Sequence, residues 1–308
     1  MADRLLDRRG SGPLPLKVAT LGSGSRGNSV FVECGRTRFL VDAGFSGAEI
    51  ARRLDLLGVR PESIQAIVVT HEHRDHTSGI GVAARRWNWP LYITPATERA
   101  CASLLRGSET IVHYEGEAPF DVGEARIHPS STCHDAADPV ALTIQEPETG
   151  LKLGVATDLG RATTPVRTAL AGCHFVVLES NHDEVMLRES PYPWSVKQRI
   201  GGSRGHLSNR LAADLAVDLL HPSLGGFLLA HLSHECNLPE AAREATKKTL
   251  ARRGYRGVVE VALQDGPSHL YDVDALVDVA RNGGPQLQLF GREAAPRVTR
   301  PVRFPPDA

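Results

Sequence analysis

Three imidazoles and a carboxylate fall within six residues in Val68-Val69-Thr70-His71-Glu72-His73-Arg74-Asp75-His76, directly after a short apolar run. His71 and His73 alternate, so on extended backbone they point the same way and can hold one cation. Asp75 and His76, at the following turn, can face a second. A lone histidine is ordinarily a hydrogen-bonded core or surface residue. Four such groups in H-x-H-x-D-H are not, because uncompensated neighbours of this kind would repel one another or stay unsatisfied once buried.

Elements able to position this cluster recur along the chain. Apolar runs at Val18 to Leu21, Val30 to Val32, Phe39 to Val41, Ile67 to Val69, Leu91 to Ile93, Val140 to Ile144, Leu151 to Val155, Phe175 to Leu178, Phe227 to Leu229 and Val258 to Leu263 fit strands. Ser46-Gly-Ala-Glu49 reads as a capping box for a helix carrying Ile50, Leu54 and Leu57, with Gly58 as its stop. Ser208 or Asn209 caps a second helix carrying Leu211, Leu215 and Leu219, and Pro239 opens a third through about Arg253. The N-terminal third is rich in strands and poor in helices, which argues against regular βαβ winding and for an α/β sandwich of mixed sheets.

Residues 1–15 read as a loose tail, 16–282 as the catalytic fold and 283–308 as a disordered tail, five of the last 24 residues being proline. The 35 basic and 36 acidic residues nearly cancel, so nucleic acid could be drawn only by a local patch. Five cysteines without a C-x-x-C pair exclude a disulfide framework and fit a reducing cytosol. No apolar run approaches the ~20 residues of a membrane span, and the N-terminus lacks a signal-peptide core; a cytoplasmic protein is expected.

The H-x-H-x-D-H motif after a strand resembles the second motif of the metallo-β-lactamase superfamily, whose fold is an αββα sandwich of two mixed β-sheets flanked by helices. The resemblance extends to Asp42 in Phe39-Leu-Val-Asp-Ala-Gly44, His134 in Ser131-Thr-Cys-His-Asp135, Asp158 in Val155-Ala-Thr-Asp-Leu-Gly160 and His231 in Leu229-Ala-His-Leu-Ser233. It implies one metal on His71, His73, His134 and Asp158, a second on Asp75, His76, Asp158 and His231, and Asp42 supporting the ligands from behind. Two divalent ions, Zn2+ or Mn2+, imply hydrolysis by activated water. Asp158, where zinc β-lactamases have cysteine, favours phosphodiester or thioester substrates over lactams. The 73 residues separating Asp158 from His231 leave no room for the inserted domain of the β-CASP nucleases.

Further segments are similar to the YycJ/WalJ-type branch, itself similar to RNase Z and to cyclic phosphodiesterases. They are Gly22-Ser-Gly-Ser-Arg-Gly-Asn-Ser29, Glu179-Ser-Asn-His182-Asp183, Tyr192-Pro-Trp194, His206-Leu-Ser-Asn209 and His231-Leu-Ser-His234-Glu-Cys-Asn237. That resemblance implies a nuclease, in this branch a 5′-to-3′ DNA exonuclease, with Asp75, His206 and Glu179 as its catalytic residues. A leaving alkoxide needs a proton, and His206 matches the proton donor of RNase Z-like enzymes, with Glu179 to orient it. His182 and His234 are expected behind the ligands or against substrate. His113, His128, His174, His221 and His269 belong to no motif.

Lys197, Arg199, Arg204 and Arg210 surround His206 and would serve backbone phosphates. Trp87 and Trp89, beside Arg85 and Arg86, are either a stacking platform for a single strand or core tryptophans. In the tail, Gln286-Leu287-Gln288-Leu289-Phe290 resembles the peptide by which replication and repair proteins bind the bacterial sliding clamp. The expectation is a clamp-recruited DNA exonuclease. A small-molecule cyclic phosphodiesterase, an RNase Z-like ribonuclease or a clamp-bound scaffold are its rivals, and the oligomeric state stays open.

Overall fold

The computed structural model describes residues 16–282; the segments 1–15 and 283–308, and with them Gln286, Leu287, Leu289 and Phe290, lie outside the described residues. In chain order the strands are β1 (Leu16–Gly22), β2 (Ser29–Cys34), β3 (Thr37–Val41), β4 (Ala66–Val68), β5 (Leu91–Ile93), β6 (Ile111–His113), β7 (Phe120–Val122), β8 (Ala125–Ser131), β9 (Val140–Gln145), β10 (Lys152–Ala156), β11 (Phe175–Glu179), β12 (Gly226–Ala230), β13 (Val258–Val261) and β14 (Tyr271–Asp272). They form two seven-stranded sheets, ordered β14-β1-β2-β3-β4-β5-β6 and β13-β12-β11-β10-β9-β8-β7. Each sheet begins antiparallel and ends parallel: β3 to β6 run together in one, β10 to β13 in the other. Every apolar run singled out in the sequence lies on a strand, its ends shifted by a residue or two at most.

The period-two alternation of the strands builds the layers. Phe39 and Val41 of β3 face inward with Val18, Val32 and Val68, where they meet Leu142, Val155, Phe175, Val177 and Leu228 of the opposite sheet. Leu40 and Ile67 face outward. The helices are α1 (Gly47–Leu56), α2 (Arg74–Thr77), α3 (Ile80–Trp87), α4 (Pro95–Ala100), α5 (Thr164–Leu170), α6 (Glu184–Glu189), α7 (Trp194–Ile200), α8 (Asn209–Asp218), α9 (Pro239–Ala251) and α10 (Val273–Asn282). Ile50 and Leu54 of α1 and Ile80 and Ala84 of α3 cover the first sheet. Leu170 of α5, Leu215 of α8 and Leu250 of α9 cover the second, against Leu178, Phe227 and Leu229. The result is the expected αββα sandwich.

Local chemistry matches the expected helix ends, with two adjustments. Ser46 caps α1, its Oγ accepting from the Glu49 N–H at 3.3 Å, but the Glu49 carboxylate holds Arg52 and Arg53 instead of closing the capping box. Ser208, not Asn209, caps α8, on which Leu211 is exposed while Leu215 and Leu219 are buried. Trp89 is buried in the outer core and stacks on Trp87 at 4.6 Å, so this pair follows the core alternative and is no platform for bases. No helix among the described residues is long and apolar enough to cross a membrane.

Candidate metal centre

Strands β3, β4, β8, β10, β11 and β12 all end at one edge of the sandwich, and the residues that follow them converge there. This is where open α/β sheets place ligands. Three chain turns are unusual: Asp42, Asp158 and His231, just past β3, β10 and β12, have φ of 61°, 58° and 57°. Left-handed backbone on residues other than glycine costs energy and concentrates at functional sites, and Asp and His are among the types that tolerate it best. In each case the chain leaves its strand sharply and turns the side chain back over the strand ends.

The donor atoms fall into three overlapping groups, and Asp158 belongs to two of them, one being Asp158, Glu179, His206 and His231. His71, His73, His134 and Asp158 offer one atom each within 4.8 Å of one another, and so do Asp75, His76 and His231. Asp158 stands between them: its Oδ2 is 3.1 Å from His76 Nε2, and its Oδ1 is 3.5 Å from His134 Nε2 and 3.6 Å from His231 Nε2. His231 Nε2 also lies 3.1 Å from Asp75 Oδ2.

A layer of hydrogen bonds behind these groups fixes which ring nitrogen faces inward. Asp42 accepts from the Thr70 N–H and hydroxyl, both at 2.8 Å, and from His76 Nδ1 at 2.7 Å. With its proton committed to Asp42, the Thr70 hydroxyl can only accept from His71 Nδ1, 3.0 Å away. His71 Nε2 therefore carries a lone pair, and it is buried without a hydrogen-bond partner. His134 Nδ1 donates to the Gly205 carbonyl at 2.9 Å, which turns its Nε2 lone pair toward His73 Nδ1 at 3.2 Å. Asp158 Oδ2 is likewise buried and, though close to His76, out of hydrogen-bonding alignment. Converging lone pairs and an orphaned carboxylate oxygen in a buried site would be costly alone, and they are what a divalent cation satisfies.

The electrostatics agree. Burial works to raise the Asp158 carboxyl, yet the imidazoles of His231, His76 and His71 hold it well below the usual carboxylate range. Burial would lower His231, but Asp158 and Asp75 outweigh it and lift the ring to about 10. His71 is pushed well below the ordinary imidazole value by burial and by His76, which outweigh the Asp158 carboxylate. Glu179, at the end of β11, is held at about 2 against its own burial by His206 and His231. Its Oε1 accepts from His206 Nδ1 at 2.7 Å, while Oε2 accepts from the Leu159 and Leu207 N–H groups at 2.8 and 3.0 Å. One carboxylate thus orients the His206 ring and clamps two loops of the site.

A cleft of about 410 Å³ opens onto the cluster, lined by His73, Asp75, His206 and His231 with Tyr192 and Arg199. The other residues named from sequence divide. His182 is buried, and its carbonyl accepts the Asn209 N–H at 2.8 Å, bracing the segment that carries His206. His234 stands apart: exposed, it meets Glu235 at 3.0 Å, which leaves of its two expected places only the one against substrate. Arg199 lines this cleft and Arg204 a second depression next to it, whereas Arg210 is held by Glu184 and Asp214 and the Lys197 ammonium donates to the Arg188 carbonyl. All four expected basic residues have a partner, Arg199 pairing with Asp135 and Arg204 donating to the His134 carbonyl, so what separates them is place: only Arg199 and Arg204 line the cleft or the depression next to it.

Some contributors carried no sequence signal of their own. Asn28 Nδ2 donates to Asp75 Oδ2 at 3.1 Å, Asn181 Nδ2 donates to the His231 carbonyl at 2.8 Å, and Asp135 Oδ1 lies 3.4 Å from His134 Nε2. Asn28 and Asn181 sit inside segments that stood out by resemblance, and Asp135 directly follows a motif histidine.

Residues 22–181 match the model of the metallo-beta-lactamase superfamily. The chain is 33% identical over 246 residues to "Exodeoxyribonuclease YycJ" of Bacillus anthracis, covering 78% of this chain and 91% of the relative. It is 33% identical over 240 residues to "Exodeoxyribonuclease WalJ" of Streptococcus pneumoniae, covering 77% and 88%. Among solved structures, the metallo-beta-lactamase fold protein YhfI of Bacillus subtilis superposes with a TM-score of 0.64 at 19% identity, over 83% of this chain and all of the other, which speaks to fold alone.

Proposed function

Because the chain belongs to the metallo-beta-lactamase superfamily of metal-dependent hydrolases, we propose that it is a two-metal phosphodiesterase that degrades DNA from an end. The hydrolytic reading is carried by Asp158, set between two groups of imidazoles with His206 alongside, its Nδ1 3.6 Å from Asp158 Oδ1. DNA as the substrate rests on the two relatives named exodeoxyribonucleases. The donor set of imidazole and carboxylate without thiolate suits zinc or manganese.

His71, His73, His134 and Asp158 would hold one ion, and Asp75, His76, Asp158 and His231 the other. Bound there, the two cations would polarise a phosphoryl oxygen and acidify water. The remaining work falls to the chain. Asp42, through Thr70 and His76, keeps the ligand tautomers fixed. Asp75 orients the attacking water by accepting its hydrogen bond from the cleft side. Glu179 holds His206 Nδ1, so Nε2 is the atom that gives a proton to the leaving sugar oxygen. Arg199, on the cleft wall, and Arg204, in the depression next to it, would neutralise phosphates, and the clamp-like peptide at Gln286 to Phe290 would keep the enzyme near its substrate.

The test is incubation of the purified protein with end-labelled single- and double-stranded DNA and RNA, with Mn2+ or Zn2+. Stepwise loss of nucleotides from DNA ends is expected. Cleavage of RNA alone, or of small cyclic phosphodiesters alone, would overturn the DNA assignment.

A further inference from the structure

Between Asp183 and Arg204 the chain leaves the sandwich, and the only large apolar side chain it buries is Leu187. Helix α7 within it has no buried residue at all. Core packing therefore does not explain this excursion, which borders the metal cleft on one side and a second, broadly open depression of about 440 Å³ on the other. The two spaces share Asp135, Arg199 and Gly205 as a common wall. Arg199 Nε donates to Asp135 Oδ2 at 2.6 Å and Arg204 Nη2 to the His134 carbonyl at 3.3 Å, so each guanidinium keeps further N–H groups for a ligand. Two guanidiniums against one carboxylate leave the depression positive, and Gln198 and Ser203 add neutral donors. A Cβ on Gly205 would lie 2.1 Å from the Arg199 carbonyl, so glycine is what lets this loop fold back onto α7.

One helical turn before Gln198, on the same face of α7, stands Trp194. Its side chain is 69% exposed, whereas Trp87 and Trp89 stack on each other. A large aromatic left in water one helical turn from Gln198, which lines the cationic depression, matches the two things a nucleotide presents, a phosphate and a π-face. A free inorganic anion would have no use for the ring.

We propose that this depression and Trp194 form a nucleotide subsite next to the metal centre: Arg199 and Arg204 take the phosphate adjacent to the scissile one, and the Trp194 ring stacks that nucleotide's base. The inference rests on the nuclease reading and names where the strand lies. It is tested on the metal-loaded enzyme with three oligonucleotides: an unmodified one, one lacking the base at the neighbouring nucleotide, and one with a neutral methylphosphonate at the neighbouring linkage. Trp194→Ala should raise KM for the unmodified strand about tenfold and Trp194→Phe much less, since stacking of this kind is sequence-tolerant and survives a smaller ring. On the abasic strand Trp194→Ala should cost nothing further, and Arg204→Gln should cost nothing further on the methylphosphonate. Equal losses on modified and unmodified strands, or no loss, would overturn the subsite while leaving the nuclease reading intact. A wild-type enzyme that cleaves none of the three would remove both.

Discussion

The division of labour inside the site is sharpest at His206. Its Nδ1 is bonded to a carboxylate that is itself pinned by two backbone N–H groups, so the ring can neither rotate nor change tautomer without breaking that contact. If its role is to protonate a leaving alkoxide, the benefit depends on how basic that alkoxide is. His206→Ala should keep its metal and slow hydrolysis of DNA by about 10²- to 10⁴-fold, yet slow a p-nitrophenyl phosphodiester far less. Equal loss on both substrates, in side-by-side steady-state assays, would mean that His206 positions substrate instead. At this scale the sequence was uneven. The H-x-H-x-D-H run announced itself because its donors are contiguous, but Asp42, His134, Asp158 and His231 each stand in an ordinary local context and were found only by resemblance. Thr70, whose hydroxyl relays the Asp42 charge to His71, had no signal beyond its place in the motif.

The elements explain how such scattered residues meet. Parallel strands bring their C-terminal ends to one edge, and the left-handed turns at Asp42, Asp158 and His231 aim three side chains back over it. Apolar runs predict the buried strands well, because burial on both faces leaves a continuous signature. They miss the short strands β6, β7 and β14 and also β8, where only alternate residues are buried and Pro129 interrupts the pattern. The proline is tolerated because β7 pairs with β8 only as far as Ile127, leaving one flank open beyond it. Helix α1 carries a testable device of its own. Arg53, buried, donates to the Leu21 and Gln264 carbonyls and is balanced by Glu49, which ties α1 to β1 and to the loop after β13. Arg52 and Arg53 lower the Glu49 carboxyl from 4.5 to about 2. A depressed folded-state value means that this stabilisation is complete above about pH 4.5 and is lost as pH falls toward 2. Glu49→Gln should therefore lower the thermal midpoint at pH 7 and converge with the wild type near pH 2. A constant difference across that range would show that packing, not charge, is what the substitution disturbs.

For the whole molecule, the sandwich was legible in its class because strand-rich and helix-poor stretches exclude regular winding, while the sheet order was not, since pairing partners far apart in sequence leave no local trace. The flank that carries α7 was legible only in part: Tyr192 to Trp194, Lys197 and Arg199 stood out in the sequence, but only the fold shows that Tyr192, Val196, Arg199 and Ile200 line the cleft. The tail peptide lies outside the described residues, and its role stands on sequence resemblance. Replacing Leu289 and Phe290 by Ala should remove about 1.5 to 3 kcal/mol of clamp binding for each anchor, read by calorimetric titration against the host's sliding clamp. Equal binding by the double variant would assign the peptide to another partner. The proposed hydrolysis depends on Asp158 joining two groups of donors around divalent ions. Metal content and DNA hydrolysis measured on the same preparations of wild type and Asp158→Ala test this most directly. Two ions per chain in the wild type, with lower content and hydrolysis reduced by orders of magnitude in a folded variant, is the predicted result; an Asp158→Ala protein with undiminished metal and full activity would contradict it.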